Sequence, residues 1–168
     1  GAPILIPGGT NIQPYIAAQG VVSQGFELEL TGQPALGWNI NASYSQFKAE
    51  DANDRPANTD QPRKLLKIFS TYDFTGGLTG LTLGGGVTYR SKSYSDGLNP
   101  VTADPFRFQQ DSYWLANVMG RYQLTERLQL QANIENLFDK RYYSQAGFFS
   151  QYRYGAPRTA TIAASYKW

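Results

Sequence analysis

In WLANVMGRYQLTERLQLQANIE, Trp114–Glu135, the chain changes character at every step. Trp114, Ala116, Val118, Gly120, Tyr122 and Leu124 fall on one side of an extended chain; Asn117, Met119, Arg121 and Gln123 fall on the other. After LTER the pattern resumes, with Leu128, Leu130, Ala132 and Ile134 against Gln129, Gln131, Asn133 and Glu135. Period two with one uncharged face predicts two strands joined by a tight turn, one side facing an apolar phase and the other water.

The same alternation extends through the 168 residues in about seven segments, roughly 23–32, 37–47, 65–75, 80–92, 112–124, 127–138 and 157–168. GQPALG, TGGLTG and LTER are short connections. Lys48–Lys64, Ser93–Asp111 and Asp139–Ala156 are long and rich in Asn, Asp, Ser, Pro and aromatics. Short and long alternate strictly, which predicts an up-and-down antiparallel sheet with turns at one end and long loops at the other. Outer-membrane barrels have that asymmetry. No internal repeat or domain boundary interrupts it.

The uncharged face of the other segments carries Phe26, Leu28 and Leu30; Trp38, Ile40, Ala42 and Tyr44; Leu66, Ile68, Ser70, Tyr72 and Phe74; Leu81, Leu83, Gly85, Val87 and Tyr89; and Ala160, Ile162, Ala164, Tyr166 and Trp168. At the chain's 17% charged content about five Asp, Glu, Lys or Arg would fall on this face by chance, and there are none. Glu27, Glu29, Lys67, Asp73, Arg90, Arg121, Glu135 and Lys167 are on the other face. A soluble sandwich alternates too, but its inner face is a dry core of Val, Ile, Leu and Phe. Here the amphipathic rings gather near strand ends, Tyr44, Tyr89 and Trp114 beside the long loops, Trp38, Phe74, Tyr122, Tyr166 and Trp168 beside the short turns. Two aromatic girdles at membrane–water interfaces are the expectation, which favours a transmembrane β-barrel over a soluble sandwich.

Composition narrows function. The chain has no His and no Cys, which removes the usual nucleophile pairs, the common zinc sites and the commonest general base, so no enzyme is expected. A net charge of +2 gives no field for nucleic acid. No apolar run approaches the ~18 residues of a membrane helix.

SQGFELEL (Ser23–Leu30), LTGLTLGGGVTYRSKSY (Leu78–Tyr94), NIENLFDKRYY (Asn133–Tyr143) and YGAPRTATIAASYKW (Tyr154–Trp168), in that order and spacing, resemble the C-terminal barrel of TonB-dependent ferric-siderophore receptors of the hydroxamate and pyoverdine type. The resemblance covers nearly the whole chain, and NLFDKRYY with YGAPR is its most specific part. It implies an all-β antiparallel barrel of about 22 strands. Residues 1–168 would be its C-terminal part, 1–22 an outer loop and 23–168 seven strands with short periplasmic turns and long extracellular loops. Departures from the family are the plug domain and the TonB-contacting segment, which match nothing in the sequence. A further strand within Ile4–Val22 would allow a small closed barrel, against which its prolines and glycines argue. The final strand, ending on Trp168, resembles the signal read by outer-membrane assembly machinery, with the C-terminus periplasmic.

The resemblance also implies the function: uptake of a ferric siderophore across the bacterial outer membrane, powered through TonB by way of the plug. The partners would be the rest of the barrel, its plug, lipid and lipopolysaccharide. Fe(III) arrives already chelated, as cargo, so no cofactor or protein metal ligand is required. A bulky chelate calls for aromatic walls and a few fixed donors. The loop candidates are Tyr94, Phe106, Arg107, Phe108, Phe148, Phe149, Tyr152 and Arg153, with Tyr142 and Tyr143 near a strand end and pointing inward; loops packing on their own aromatics is the alternative. EDANDRPANTD (Glu50–Asp60) is acidic but lacks calcium-loop spacing, and a solvated loop is expected. Asn136 and Asp139 are expected to cap backbone groups where wall becomes loop, and Arg158 to pair with Glu135 if inward. A self-standing structural barrel or a barrel enzyme remain the rivals, the first requiring closure within this chain, the second a polar cluster at the rim.

Overall fold

The computed structural model describes residues 20–99, 101–148 and 151–168. Seven strands form one antiparallel sheet: β1 (Val22–Ala35), β2 (Trp38–Glu50), β3 (Lys64–Asp73), β4 (Leu81–Arg90), β7 (Tyr113–Gln123), β8 (Leu128–Glu135) and β11 (Thr159–Tyr166), each paired with the next in that order. Two hairpins stand apart from this wall, β5 (Ser93–Leu98) with β6 (Pro105–Gln110), and β9 (Tyr143–Phe148) with β10 (Gln151–Tyr154). Both lie inside connections that the sequence presents as loops.

The short turns close by local chemistry. In LTER no glycine is needed, because the Thr125 hydroxyl accepts from the Arg127 and Leu128 backbone N–H groups at 3.2 and 3.0 Å. In TGGLTG a single 3-10 turn spans Gly76–Leu78, and the Thr79 N–H and hydroxyl both donate to the Gly76 carbonyl. β1 overruns its predicted end at residue 32, because a register shift between Gly32 and Ala35 carries Pro34 through an edge strand where no ladder donor is missed.

Register puts every predicted uncharged residue of the ladder on one face. Tyr44 stands opposite Leu66, Leu66 opposite Tyr89, and Tyr89 opposite Trp114, a rung crossing four strands at the end of the long loops. Lower down, Trp38 opposes Tyr72, Tyr72 opposes Leu83, Leu83 opposes Gly120, Gly120 opposes Ala132, and Ala132 opposes Ile162. The face is bare: Leu28 is 62% exposed, Trp114 54% and Ile162 81%. Among the described residues only Ala49 and Tyr113 are buried apolar side chains, so no second layer encloses this face as a sandwich core would be enclosed. Its one hydroxyl in mid-strand is satisfied. Trp38 Nε1–H donates to Ser70 Oγ at 2.8 Å, and Ser70 donates to the Asn39 carbonyl at 3.1 Å. In oil an unsatisfied polar group would be costly.

The opposite face is polar and partly networked. Thr82 donates to Asp73 at 2.5 Å, Arg121 donates to Thr82 at 3.1 Å, and Arg121 lies 3.6 Å from Asp73. Glu27, Glu29 and Lys67 have no ion-pair partner among the described residues. A groove of about 370 Å³ is lined by Glu29 and Lys67 together with Phe69 and Gly86.

β1 and β11 are the sheet's edges and do not pair with each other, so the described residues form an open wall rather than a closed barrel. Residues 1–19, where an outer loop or a further strand was expected, lie outside the described residues. One expected contact is absent. Glu135 stands opposite Thr159, and Arg158 instead places its backbone N–H on the Asp139 carboxylate at 2.9 Å, so no Arg158–Glu135 pair forms.

Candidate functional site

The wall gives way to the loops through Asn136. Its backbone takes a left-handed conformation, φ 49°, which Asn tolerates better than other non-glycine residues. That bend turns the side chain of a residue 4% exposed back toward two chain segments. Its amide donates to the Lys140 and Ala156 carbonyls at 2.9 and 3.0 Å and accepts from the Lys140 N–H at 2.8 Å. The Asn136 N–H is held by the Asn117 side chain of β7 at 2.9 Å. Asp139, also left-handed at φ 51°, caps the Arg158 N–H. NLFD and GAPR are therefore the two halves of one clamp that sets where the β9–β10 connection leaves the wall and where β11 rejoins it.

On that base the two hairpins meet. Phe108 stacks on Tyr152 with centroids 5.0 Å apart and planes 7° from parallel, and meets Tyr143 edge-on at 4.9 Å. Tyr143 also contacts Tyr152 at 5.2 Å and Tyr154 at 4.8 Å, and the Tyr143 N–H donates to Gln110 Oε1 of β6 at 2.7 Å. Aromatic pairs in this geometry each contribute about 0.5–1.5 kcal/mol, enough to hold hairpins that lack a core. The Tyr143 hydroxyl reaches Tyr154 at 3.5 Å, and that hydrogen bond, followed by desolvation, holds its phenol above the ordinary range.

Of the sequence candidates, Phe108, Tyr143 and Tyr152 thus form one cluster. Tyr142 packs instead on Tyr113, an inward position of β7, at 4.7 Å, with Gly155 beneath its ring where a Cβ would collide. Tyr94 lies under the Arg107 guanidinium at 4.0 Å, and Arg107 forms a two-pronged pair with Asp96 at 2.6 and 2.8 Å. The hydrogen bond from Arg107 holds the Asp96 carboxyl below its usual 3.8 and raises the guanidinium in turn. Phe106 is 40% exposed on the same hairpin. The Arg153 guanidinium has no ion-pair partner among the described residues. Phe148 ends β9, its side chain outside the described set, and Phe149 lies outside the described residues. Tyr154, 65% exposed and part of the cluster, escapes sequence inspection because YGAPR reads as a strand entry.

Beneath the cluster lies a cavity of about 830 Å³, lined among others by Asp111, Lys140, Arg141, Tyr142, Tyr143 and Tyr154. That is within the size of small-molecule sites. Lys140 and Arg141 make no ion pair among the described residues, and the lining sets these two cations and the two carboxylates Asp111 and Asp139 beside phenols. The acidic loop has spent one carboxylate internally: Asp51 accepts from the Asn53 and Arg55 N–H groups and the Arg55 side chain.

Comparison with known proteins agrees with this architecture. A family model described as "TonB dependent receptor-like, beta-barrel" matches residues 3–137. The ferric-pyoverdine BN7/BN8 receptor of Pseudomonas putida is 40% identical over 90% of this chain, and the ferripyoverdine receptor of Pseudomonas aeruginosa 36% over 81%. The crystal structure of the latter bound to ferripyoverdine superposes with a TM-score of 0.83 at 34% identity, covering 87% of this chain and 19% of that one. The chain spans less than a fifth of these two relatives, 18% and 17% of their lengths. With most of its length matched by that model, and an uncharged, uncovered sheet face to go with it, the chain belongs to the TonB-dependent receptor β-barrel family.

Proposed function

We propose that this chain supplies the C-terminal part of the wall, and part of the ligand-recognition surface, of an outer-membrane receptor that imports a ferric siderophore of the pyoverdine class with energy delivered through TonB. The observation that carries the proposal is the single continuous uncharged face assembled by register from seven strands and left uncovered by any second layer. Lipid outside and water inside require that division. The relatives' names supply the cargo class.

In this arrangement the long loops face outward, and the short turns and C-terminus face the periplasm. The rows Tyr44–Tyr89–Trp114 and Trp38–Phe74–Tyr122–Tyr166–Trp168 sit at the two interfaces. β1 and β11 pair with the rest of the barrel. Glu27, Glu29 and Lys67 face the lumen, where a plug would provide the partners that the described residues do not. The Phe108–Tyr152 stack and Tyr143 hold the hairpins together, while the exposed faces of Phe106, Tyr152 and Tyr154 and the charges of Lys140, Arg141 and Arg153 meet the chelate. Iron is cargo and needs no protein ligand.

The test is uptake of radiolabelled ferric pyoverdine by cells whose only such receptor is the full-length protein containing this segment. Transport is expected in a TonB-competent strain and absent from a strain lacking TonB. Substituting Tyr152 and Tyr154 together by Ala should weaken binding about tenfold or more while assembly stays intact. Uptake that is unchanged without TonB would refute the proposal.

A further inference from the structure

The β5–β6 hairpin uses its two faces differently. On one, Arg107 pairs with Asp96 and lies over Tyr94, and Gln109 Nε2 donates to the Asp111 carboxylate at 2.6 Å. Those groups are satisfied inside their own connection. On the other face Phe108 and Gln110, two residues apart on β6, both close on Tyr143 of the neighbouring connection. Phe108 meets the ring edge-on at 4.9 Å, and Gln110 Oε1 accepts the backbone N–H at 2.7 Å. The Gln110 amide is engaged at both ends, because its Nε2 donates to the Asp111 carbonyl at 2.7 Å. Turning it over would set its NH2 against the Tyr143 N–H, so its orientation is fixed.

Tyr143 begins the second hairpin, and the grip on it propagates. Its predecessor Tyr142 faces the wall, its ring on Tyr113 and its carbonyl accepting from the Gly155 N–H at 2.8 Å. Tyr143 stands opposite Tyr154 in the β9–β10 register, their hydroxyls 3.5 Å apart, and meets the Tyr152 ring edge-on at 5.2 Å. Tyr152 and Tyr154 are exposed, and neither hairpin joins the sheet of the wall. Where Tyr143 sits therefore sets where both exposed rings sit.

We propose that Gln110 is a positioning residue for recognition of the chelate, and that the two hairpins act as one recognition body. Gln110 acts through Tyr143: it holds the start of β9 from the neighbouring connection, so the Tyr152 and Tyr154 rings are ordered before ligand arrives. Ordering them in advance lowers what binding must supply. The inference rests on the receptor function proposed above and names the residue that arranges its site.

The experiment uses the full-length receptor, with ferric pyoverdine as the probe and two readouts. Hydrogen–deuterium exchange follows peptides spanning residues 143–154, and radiolabelled uptake by TonB-competent cells is measured against ligand concentration. Gln110→Ala is expected to raise exchange in 143–154 about fivefold, the factor set by one ordinary hydrogen bond, although the substitution lies in the other connection. Half-saturation of uptake should rise by a similar factor with the maximal rate unchanged. A defect of assembly would do the reverse, lowering the maximal rate at unchanged half-saturation. Thr102→Ala loses only the bond its hydroxyl accepts from the Asp104 N–H at 3.4 Å in the same hairpin, and should leave both readouts at wild type. Adding Gln110→Ala to Tyr143→Ala should shift half-saturation by less than about twofold further, because the residue acted through is already gone. Exchange in 143–154 unmoved by Gln110→Ala, half-saturation unmoved despite faster exchange, or additive effects in the double variant would each overturn the proposal. Absence of wild-type uptake with exchange responding as expected counts against the receptor function alone. Normal wild-type uptake with unresponsive exchange counts against Gln110 alone.

Discussion

Replacing Asn136 by Ala removes three side-chain hydrogen bonds, to Lys140 twice and to Ala156 once, from a residue 4% exposed. At about 1 kcal/mol each these sum to about 3 kcal/mol. The left-handed backbone at φ 49° adds about 1 kcal/mol once a side chain that tolerates it is gone. The loss of about 4 kcal/mol falls on the clamp rather than on the wall, since the ladder of β7, β8 and β11 is untouched. Local opening of the Leu137–Tyr142 segment should then rise several hundredfold, at about 1.4 kcal/mol per factor of ten. Trypsin cutting after Lys140 or Arg141 reports that opening directly when reclosing is faster than cleavage. The variants should rank in a definite order. Asn136→Gly relieves the backbone and loses only the bonds, so it should be cleaved more slowly than Asn136→Ala. Asn136→Asp sets a carboxylate oxygen against two carbonyls and should be no better than Ala. Cleavage of the Ala variant within threefold of wild type, or an Asp variant as resistant as wild type, would refute the clamp.

Three further outcomes follow. Val118→Lys should cost about 2–4 kcal/mol and reduce the heat-modifiable assembled form, while Met119→Lys, one residue on and facing the lumen, should leave it nearly unchanged. Gly86→Ala should block assembly, because a Cβ there would meet the Ile68 carbonyl oxygen at 2.6 Å, and Phe69→Ala should not rescue it, since the obstructing atom belongs to the backbone. The Asp96–Arg107 pair should hold the β5–β6 hairpin at any pH above the ordinary carboxyl value of 3.8 and release it as pH falls through the lower value of the folded state, because protonation ends the pair. Amide exchange in residues 93–110 measured across that window should show the loss, and Asp96→Asn should abolish the pH dependence.

How much of this was legible in the sequence depends on what sets each feature. The wall is set by solvent on its two sides, and solvent acts on each residue by parity alone. Leu83, Val118 and Ile162 therefore announce their face individually, and register only aligns what period two has already sorted. The hairpins have water on every side, so β5–β6 keeps the alternation without an apolar face. Phe106 and Phe108 alternate with Arg107 and Gln109, and what holds them is a ring stack to Tyr152 and an ion pair to Asp96. Neither partner can be named from the spacing, because each depends on which connection lies beside which.

Asn136 lies between these limits. An Asn at the last step of a strand signals a left-handed cap, but that its amide reaches Ala156, twenty residues away, follows only from the pairing of β8 with β11. The same pairing undoes the expected Arg158–Glu135 bridge. Once Asp139 turns left-handed, its carboxylate holds the Arg158 N–H, while register sets Thr159 opposite Glu135. The outer ends of β3 and β4 are the extreme case. The Lys64 N–H meets Ser91 Oγ because β3 and β4 pair so that Leu65 stands opposite Arg90. A shift of that register by one residue would flip the wall's faces as well as break that contact. The constraint that keeps oil and water apart along β3 and β4 thus also positions the groups above them.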